Sequence, residues 1–381
     1  MSTSSPSLIL FTTSQTPLPV RYPHPRKPQL VLPPLVHRSL HNALDGEGPS
    51  VLNDEATLVI PHPDGLVKND LPSHSHSLSE KTGVDQINQS SPQDGMIAQL
   101  PESASIHTPL DIELTVKLHL VSSPSSQSSS PPSGNDSASS LLQMISESLE
   151  TLSRYKGLSS TAIDTLLIGF KGMDYRGSKT IASEMFGCGS EGLEAPNTET
   201  VSPELEKQIL GLWKELSNDD DDDQGVIGRD VKLGILYSPL GLLRKLVEQQ
   251  EGSGTGRKVG VNALDTPDCH HLPKEYTQYA REHGVELWAG GGGEGSDPLP
   301  SAHLHNLLQE FVPALKTVGR PPKSVDRLER LIPVRADGLK FETEQVEKGL
   351  EVRWVLSYTL VSKTRNVVKD KGYIIAADLA S

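Results

Sequence analysis

The chain has 381 residues, enough for one large or two smaller domains, but only 35% are hydrophobic and it holds 32 Gly and 29 Pro. We therefore expect one globular domain together with stretches that do not pack. The formal net charge of −14 argues against a surface for nucleic acid or anionic membranes, because phosphate binding needs a concentrated basic patch. Two cysteines, Cys188 and Cys269, are too few for a disulfide framework, and no apolar run could span a bilayer. These features predict a cytoplasmic protein.

The N-terminal part of the chain has little regular patterning. Residues 14–105 are rich in Pro, Ser, His and Asp, and TLVI at 57–60 is their clearest apolar run. We therefore expect residues 1–105 to be a mostly disordered region, with a candidate early strand at 7–13, and residues 106–381 to form the globular domain.

Strand and helix patterns alternate from residue 112 onwards. IELTVKLHLV at 112–121 is apolar at every second position, which predicts a strand. A helix follows from Asp136 and stops at Gly157, and AIDTLLIGF at 162–170 has the length of a buried strand. Ser202 with Pro203 then opens another helix as N-cap and first-turn proline.

After DDDDD at 219–223, a run typical of a solvated loop, the alternation becomes regular. The remaining units are strand VKLGILYS (231–238), helix PLGLLRKLVEQQ, strand RKVGVNAL (257–264), helix LPKEYTQYAREHG, strand VELWAG (285–290) and helix SAHLHNLLQEFV. Strands that alternate with helices predict parallel strands joined by crossover helices. The pattern favours a (β/α) barrel, with an open doubly wound sheet as the alternative.

Two patterns resemble ligand sites only superficially. GGGGEG at 290–295 matches GxGxxG, but residues 296–300 separate it from the next helix, so we interpret it as a flexible loop. The histidine pairs, His74 with His76 and His303 with His305, are spaced by two and have no carboxylate or thiol at ligand spacing. We therefore predict surface histidines and no metal site.

The stretch TPDCHHLP at 266–273 places Cys269 beside His270 and His271. A thiolate next to an imidazole is the chemistry of a nucleophile or a metal ligand. Adjacent residues rarely face each other, however, so a loop between a strand and a helix is the favoured interpretation.

Several strands in order resemble the aldo-keto reductase barrel. TVKLHLVSS places Lys117 where that family has its catalytic lysine, and AIDTLLIGF places Gly169 where it has a histidine. VKLGILYS and VGVNALDTPDC, which includes Asn262, resemble the following units. The family's early aspartate and tyrosine have no counterpart in residues 1–105. Since the tyrosine is the proton donor of such a reductase, the resemblance implies that Lys117 is vestigial and that the chain is not an enzyme.

The C-terminal segment VLSYTLVSKTRNVVKDKGYIIAAD, together with KLHLVSSPSS, resembles one family of this superfamily more closely. This family is the regulatory (modifier, light) subunit of glutamate-cysteine ligase, and the resemblance covers residues 107–381. The matching tail residues are Tyr358, Lys363, Arg365, Lys371, Gly372, Tyr373 and Ile374. The family also carries cysteine in the loop that aligns with Cys269.

The resemblance implies a (β/α)8 TIM-type barrel of aldo-keto reductase type with long inserted loops. It also implies a non-catalytic regulatory subunit that forms a heterodimer with the ligase's catalytic subunit and tunes its glutamate affinity and glutathione feedback in glutathione biosynthesis. No cofactor is required, and NADPH binding is left open. The candidate partner contacts are Cys269, Lys363, Arg365, Lys369, Lys371 and Tyr373.

Alternatives remain open at this point for the chain and for its basic tail. The chain could be an NADPH-dependent aldo-keto reductase that uses Lys117, or a barrel scaffold for some other partner. The basic tail could also be a solvated edge or the remnant of a cofactor-phosphate site.

Overall fold

The computed structural model describes residues 6–12, 32–45, 52–54, 57–68, 112–122, 134–177, 199–218, 226–228, 230–253, 257–264, 272–289, 295–317, 350–364 and 367–379. The strands are β1 Leu8–Phe11, β2 Leu52–Asp54, β3 Thr57–Ile60, β4 Ile112–Leu120, β5 Thr165–Phe170, β6 Lys232–Leu236, β7 Val261–Ala263, β8 Glu286–Trp288, β9 Leu350–Ser362 and β10 Val367–Leu379. The helices are α1 Leu32–Asp45, α2 Gly134–Lys156, α3 Pro203–Asn218, α4 Leu240–Ser253, α5 Lys274–Glu282 and α6 Ser301–Thr317, with 3-10 turns at Pro63–Gly65 and Ser160–Ala162.

All of these strands belong to one mixed sheet in the order β2-β3-β1-β10-β9-β4-β5-β6-β7-β8. Strands β4 to β8 are parallel to one another, as the strand and helix alternation predicts. β9 is antiparallel to both β4 and β10, and β10 is antiparallel to β1. The N-terminal strands extend this side, since β1 is parallel to β3 and β3 is antiparallel to β2.

The prediction of a closed (β/α)8 barrel is wrong. Such a barrel needs every strand to run parallel to both neighbours, whereas β9 and β10 form an antiparallel hairpin inside the sheet. The hairpin follows from connection length, because strands joined by only a few residues pair antiparallel and a parallel pair needs a long crossover. Within the described residues the pairing ends at β2 and β8, which are not joined to each other.

The helix boundaries follow the predicted signals. The backbone N–H of Leu205 donates to the Ser202 Oγ at 3.3 Å, so Ser202 caps α3 and Pro203 occupies its first turn. α2 ends immediately before Gly157, whose φ of 69° is the left-handed conformation that commonly closes a helix. Both predictions are confirmed.

The N-terminal segment contains elements that its composition did not predict. β1 falls within 7–13, as expected, but α1, β2 and β3 lie in the stretch for which we expected irregular structure. α1 begins Leu32-Pro33-Pro34, and proline fits the first turn of a helix, where no backbone N–H is needed. Its apolar face, including Val36 and Leu40, is buried.

The sheet separates two large hydrophobic cores, and a third, smaller cluster is formed by Leu167, Leu236, Tyr237, Val261 and Ala263. Leu114, Val116, Leu118 and Leu120 of β4 point to the face covered by α2, α3, α4 and α5, which we call the first face. Alternate residues of β1 and β10, such as Leu10 and Ile375, point to the second face, where α1 and α6 pack. Among the described helices, none combines the length and apolar character needed to cross a membrane.

Candidate functional site

The structure places the predicted partner contacts relative to the two ends of the parallel strands. Ser362, the last residue of β9, pairs with Ile112, the first residue of β4. The turn after β9 and the start of β10 therefore lie at the amino edge of the parallel strands, together with Lys363, Lys369 and Lys371. Arg365 and Cys269 lie outside the described residues.

The loop that contains Cys269 is attached to the other end of the sheet. β7 ends at Ala263, which is level with Leu236 at the end of β6, and the chain is described again from Leu272, just before α5. This is the carboxyl edge of the parallel strands. The sheet thus separates the attachment points of the cysteine loop from the basic tail, although both belong to the one set of contacts predicted from sequence.

At the amino edge, the lysines differ in their surroundings. The Lys363 Nζ lies 3.4 Å from the Asp164 Oδ1, and its side chain is 46% exposed. The Asp164 Oδ2 also accepts the backbone N–H of Leu114 at 2.8 Å, so this carboxylate helps to fix the start of β4. Lys363 is therefore already paired. Lys369 and Lys371 are exposed, and no described carboxylate pairs with either of them.

A buried ion pair lies directly behind this edge. The Lys156 Nζ, at the end of α2, is 3.0 Å from the Asp370 Oδ2, and both side chains are 4% exposed. The same Nζ donates to the Val67 carbonyl oxygen at 2.6 Å and lies 5.4 Å from the centre of the Tyr358 ring. The pair therefore connects α2, β10 and the segment after β3.

Two tail-motif residues pack against this ion pair. The Tyr358 hydroxyl donates to the Asp370 Oδ2 at 3.3 Å, and burial together with the Asp370 charge raises the pKa of Tyr358. A Cβ on Gly372 would lie 2.8 Å from the Thr12 carbonyl oxygen and 2.9 Å from the Tyr358 hydroxyl. Glycine is needed here because two chain segments and a tyrosine meet at this point. Tyr358 and Gly372 are structural residues.

Tyr373 is held by the N-terminal strand. Its backbone N–H donates to the Thr12 Oγ1 at 2.9 Å, and its carbonyl accepts the Thr12 N–H at 2.9 Å. Its side chain is partly exposed beside the second-face core. Tyr373 therefore lies beside Thr12 at the end of β1, two residues after Lys371 in β10.

A second ionic network ties α2 to the other half of the hairpin. The Arg353 Nη2 lies 2.9 Å from the Glu147 Oε2, and its Nε lies 3.6 Å from the Asp378 Oδ2. The Trp354 indole N–H donates to the Glu147 Oε1 at 2.7 Å. Burial raises the pKa values of Glu147 and Asp378, although the Arg353 charge opposes the shift at both.

The structure gives Gly169 a packing role. Gly169 pairs with His119 across β4 and β5, and a Cβ at 169 would lie 3.0 Å from the Leu236 Cδ1 and 3.3 Å from the His119 Nδ1. The position where the aldo-keto reductase family has a histidine therefore has little room for a side chain. Lys117 lies on the same face of β4, between Leu167 and Ser357.

His119 is a buried polar residue that the sequence analysis did not single out. It is fully buried, and its ring lies 6.2 Å from that of Tyr237. A signal was available in the sequence, because residues two apart on a strand share a face and His119 lies two positions after Lys117.

Hydrogen bonds between the loops stiffen the carboxyl edge. The Tyr276 hydroxyl donates to the Ser238 carbonyl at 2.6 Å, and the Asn262 side-chain amide donates to the same carbonyl at 3.0 Å and to the Tyr276 oxygen. The Ser296 hydroxyl donates to the Asp174 Oδ2 at 2.6 Å, which ties the loop after β5 to the segment before α6. Asn262 therefore serves packing between β7 and α5.

The histidine pair that the structure describes, His303 and His305, belongs to no metal-binding group among the described residues. His303 is exposed, His305 lies 3.3 Å from the Gln309 amide, and burial lowers the pKa of His305. No group of three or more His, Cys, Asp and Glu residues in the described part of the chain could hold a metal ion. His74 and His76 lie outside the described residues, as do residues 219–223 and 290–294.

Comparison of the chain with family models, with curated proteins and with solved structures gave no match.

Proposed function

We propose that this chain is a non-catalytic regulatory subunit that binds the catalytic subunit of glutamate-cysteine ligase in the cytoplasm. The observation that carries the proposal is how the tail residues divide in the structure. Two residues of the family-like tail, Tyr358 and Gly372, are buried around one ion pair. The lysines that lie between them in sequence face solvent. A rigid hairpin that presents cations is suited to contact with an acidic partner.

The rigidity of the hairpin supports this role. Lys156 and Asp370 fix the start of β10 to α2, and Arg353 with Glu147 fixes β9 to the same helix. These two ion pairs restrict the strands they hold, so a partner that binds here loses less ordering entropy on association than it would with an untethered hairpin. A regulatory subunit changes its partner by binding one of the partner's conformations more tightly than the other, and a rigid surface discriminates between conformations better than a flexible one.

The position of Gly169 also fits a non-catalytic role. Leu236 and His119 occupy the space next to it, so the residue acts in packing between β5 and β6. The chain requires no cofactor in this proposal.

The experiment is association with the purified catalytic subunit. The chain should co-elute with that subunit as a heterodimer in size-exclusion chromatography, lower its KM for glutamate and weaken its inhibition by glutathione. An unrelated acidic protein at equal concentration is the control, because the chain's net charge alone could alter the assay. Absence of co-elution and of both kinetic effects would end the proposal.

One observation favours a second candidate, an NADPH-dependent carbonyl reductase. Lys117 and His119 share one face of β4, and the ring of Tyr237, the residue after β6, lies 6.2 Å from that of His119, so this end of the sheet carries a lysine, a histidine and a tyrosine. Titration with NADPH, followed by the fluorescence of Trp288 and by turnover of carbonyl substrates, tests this candidate. Lys117→Met is the matched variant. Turnover that this variant abolishes would establish the reductase and displace the regulatory role.

A further inference from the structure

A lysine lies in the middle of the sheet without a counter-charge from the described part of the chain. β4 has five strands on one side of it and four on the other, so Lys117 projects from a central strand. Its side chain is half-buried, and no described residue forms an ion pair or a hydrogen bond with its ammonium. Lysine is seldom buried unless it is paired, because removing its charge from water costs free energy. A lysine in this position points to an anion that comes from outside the chain.

The strand register places three hydroxyl side chains beside Lys117. Lys117 is directly opposite Ser357 of β9, and Thr115, two residues earlier in β4, is directly opposite Thr359. Residues two apart on a strand share a face, and side chains directly opposite each other have Cβ atoms about 4.5–5.5 Å apart. These four residues therefore form a two-by-two group on the second face of the sheet, which we call the lysine-hydroxyl cluster.

The polar character of the cluster is confined to this part of the two strands. On the first face, the residues that alternate with the cluster, such as Val116 and Leu360, are buried in the large apolar core. On the second face, the next row towards the carboxyl edge contains Val355 and Ile375, which are apolar and buried. Strands that carry apolar residues on both faces elsewhere therefore carry an ammonium and three hydroxyls here.

The hydroxyl groups of the cluster have no hydrogen-bond partner among the residues that the structure describes. Ser357 is only 9% exposed, and Thr115 and Thr359 are half-buried, yet none of the three hydroxyls bonds to another described group. A hydroxyl that leaves water without gaining a partner costs free energy. A ligand that accepts hydrogen bonds from these hydroxyls and from Lys117 removes that cost and neutralises the charge.

Burial around the cluster decreases towards the amino edge of the parallel strands. His119, one row towards the carboxyl edge, is fully buried, whereas Lys371 of β10, opposite Thr359, is exposed. The Cα atoms of Lys371 and Lys117 lie roughly 12 Å apart, from a strand spacing of about 4.8 Å and a rise of about 3.3 Å per residue. The next carboxylate on this face of β4 is Glu113, whose Cα lies about 13 Å from that of Lys117 by the same rise. Two cations therefore flank the hydroxyls on the side that opens to solvent.

We propose that the lysine-hydroxyl cluster binds the phosphate group of a small molecule, with Lys371 at the entrance. The cluster offers an ammonium and hydroxyls, all of which can donate, and a phosphate has several acceptor oxygens. Lysine binds phosphate as a point charge, whereas planar carboxylates are bound best by the two-pronged donors of arginine, and the cluster contains no arginine. Ser357 and Thr359 lie beside Lys117 because β9 runs antiparallel to β4, so the site depends on the hairpin. The proposal goes beyond the regulatory role and does not rest on it.

The test is calorimetric titration of the full chain, without any partner, with inorganic phosphate and with glycerol 3-phosphate at constant ionic strength. Wild type should bind one equivalent. Lys117→Met should abolish the binding, and Ser357→Ala should weaken it about tenfold, because one hydrogen bond to a charged group is lost. Lys207→Met is the matched control, since it removes the same charge from an exposed position on α3 and should bind like the wild type. Tighter binding of the ester assigns the site to an organic phosphate, and tighter binding of inorganic phosphate assigns it to the free ion.

Thermal unfolding of each variant verifies that it folds, and phosphate should raise the Tm of the wild type but not that of Lys117→Met. T115V/T359V keeps Lys117 and the shape of both side chains, so it tests the hydroxyls even if Lys117→Met does not fold. The inference is overturned if the wild type shows no saturable binding, or if the cluster variants bind phosphate as the wild type does. Equal binding of acetate would make the ligand a carboxylate and would also overturn it. Because the chain is titrated alone, none of these results bears on association with the catalytic subunit.

Discussion

Lys156→Met tests the buried ion pair that holds the start of β10 against α2. The Lys156 Nζ lies 3.0 Å from the Asp370 Oδ2, and each side chain is only 4% exposed. Removing the ammonium takes away the counter-charge that Lys156 supplies to the buried carboxylate, and the 3.3 Å hydrogen bond from the Tyr358 hydroxyl does not replace it. A buried charge that loses its partner costs about 3–5 kcal/mol. This is a large share of the roughly 5–15 kcal/mol by which a typical domain is stable.

The assay is urea unfolding followed by tryptophan fluorescence and circular dichroism. K156M should lower the free energy of unfolding by about 3–5 kcal/mol, and D370N should have a similar effect because it leaves the ammonium without a counter-charge. The double variant K156M/D370N contains neither charge. Its loss should therefore be smaller than the sum of the two single losses.

Lys207→Met provides the matched control, since this lysine is exposed on α3 and its removal should change stability by no more than about 0.5 kcal/mol. If K156M behaved like this control, solvent would have to reach the Asp370 carboxylate. The account of the hairpin as a surface fixed by a buried pair would then be refuted. A fully additive double variant would also contradict it, because the two charges would not be interacting.

Other predictions concern single positions. Gly372→Ala should destabilise the protein by about 1–3 kcal/mol, because the added Cβ would lie 2.8 Å from a backbone oxygen. Gly241→Ala in α4 should stabilise it by about 0.5–1 kcal/mol, because no atom lies within 4 Å of the added Cβ. Equal shifts in Tm for the two variants would contradict this difference. Burial raises the pKa of Glu147, so the folded state holds this proton more tightly than the unfolded state, and the free energy of unfolding should rise as the pH falls through the raised pKa towards 4.5. Glu147→Gln should flatten that rise in a pH series of urea unfolding, and an unchanged slope would count against the shift. Ser202→Ala should cost about 0.5–2 kcal/mol in thermal unfolding through loss of the α3 cap.

The alternating half of the fold could be predicted from sequence because its signals are local. Period-two apolar residues mark β4, and Ser202 and Gly157 mark helix ends within a few residues of their effect. The hairpin was not predicted, because the segment between β9 and β10 contains no glycine or proline to signal a turn. Its antiparallel pairing depends on connection length and on contacts with β4, which lie far away in sequence.

In the candidate site, too, features with a local sequence signal could be predicted and those that depend on distant contacts could not. The lysines of the tail were found because they cluster in sequence. The pairing of Lys156 with Asp370 and the position of Val67 beside them are tertiary contacts without a local pattern. The bulge after Val368 likewise becomes visible only when β10 is aligned with β9. A sequence can therefore identify clustered charges, while the contacts that bury or pair them require the fold.

The separation of the two sheet edges makes a prediction about Cys269 and the basic edge. The described flanks of the cysteine loop, Leu264 and Leu272, adjoin the carboxyl edge, whereas Lys369 and Lys371 lie at the amino edge. At roughly 3.3 Å per residue, β4 spans about 25 Å from Ile112 at the amino edge to Leu120 at the carboxyl edge.

Mutational effects at sites farther apart than about 10 Å usually add. The free-energy changes of Cys269→Ser and K369E/K371E on binding to the catalytic subunit should therefore sum in the combined variant to within about 0.5 kcal/mol. Titration calorimetry of the two parents and the combination measures this. A coupling above about 1 kcal/mol would mean that one partner element touches both sites or that binding reshapes the sheet, because the two edges have no shared contact in the described structure. If Cys269→Ser alone changed neither affinity nor its response to oxidant, the cysteine would not be a partner contact.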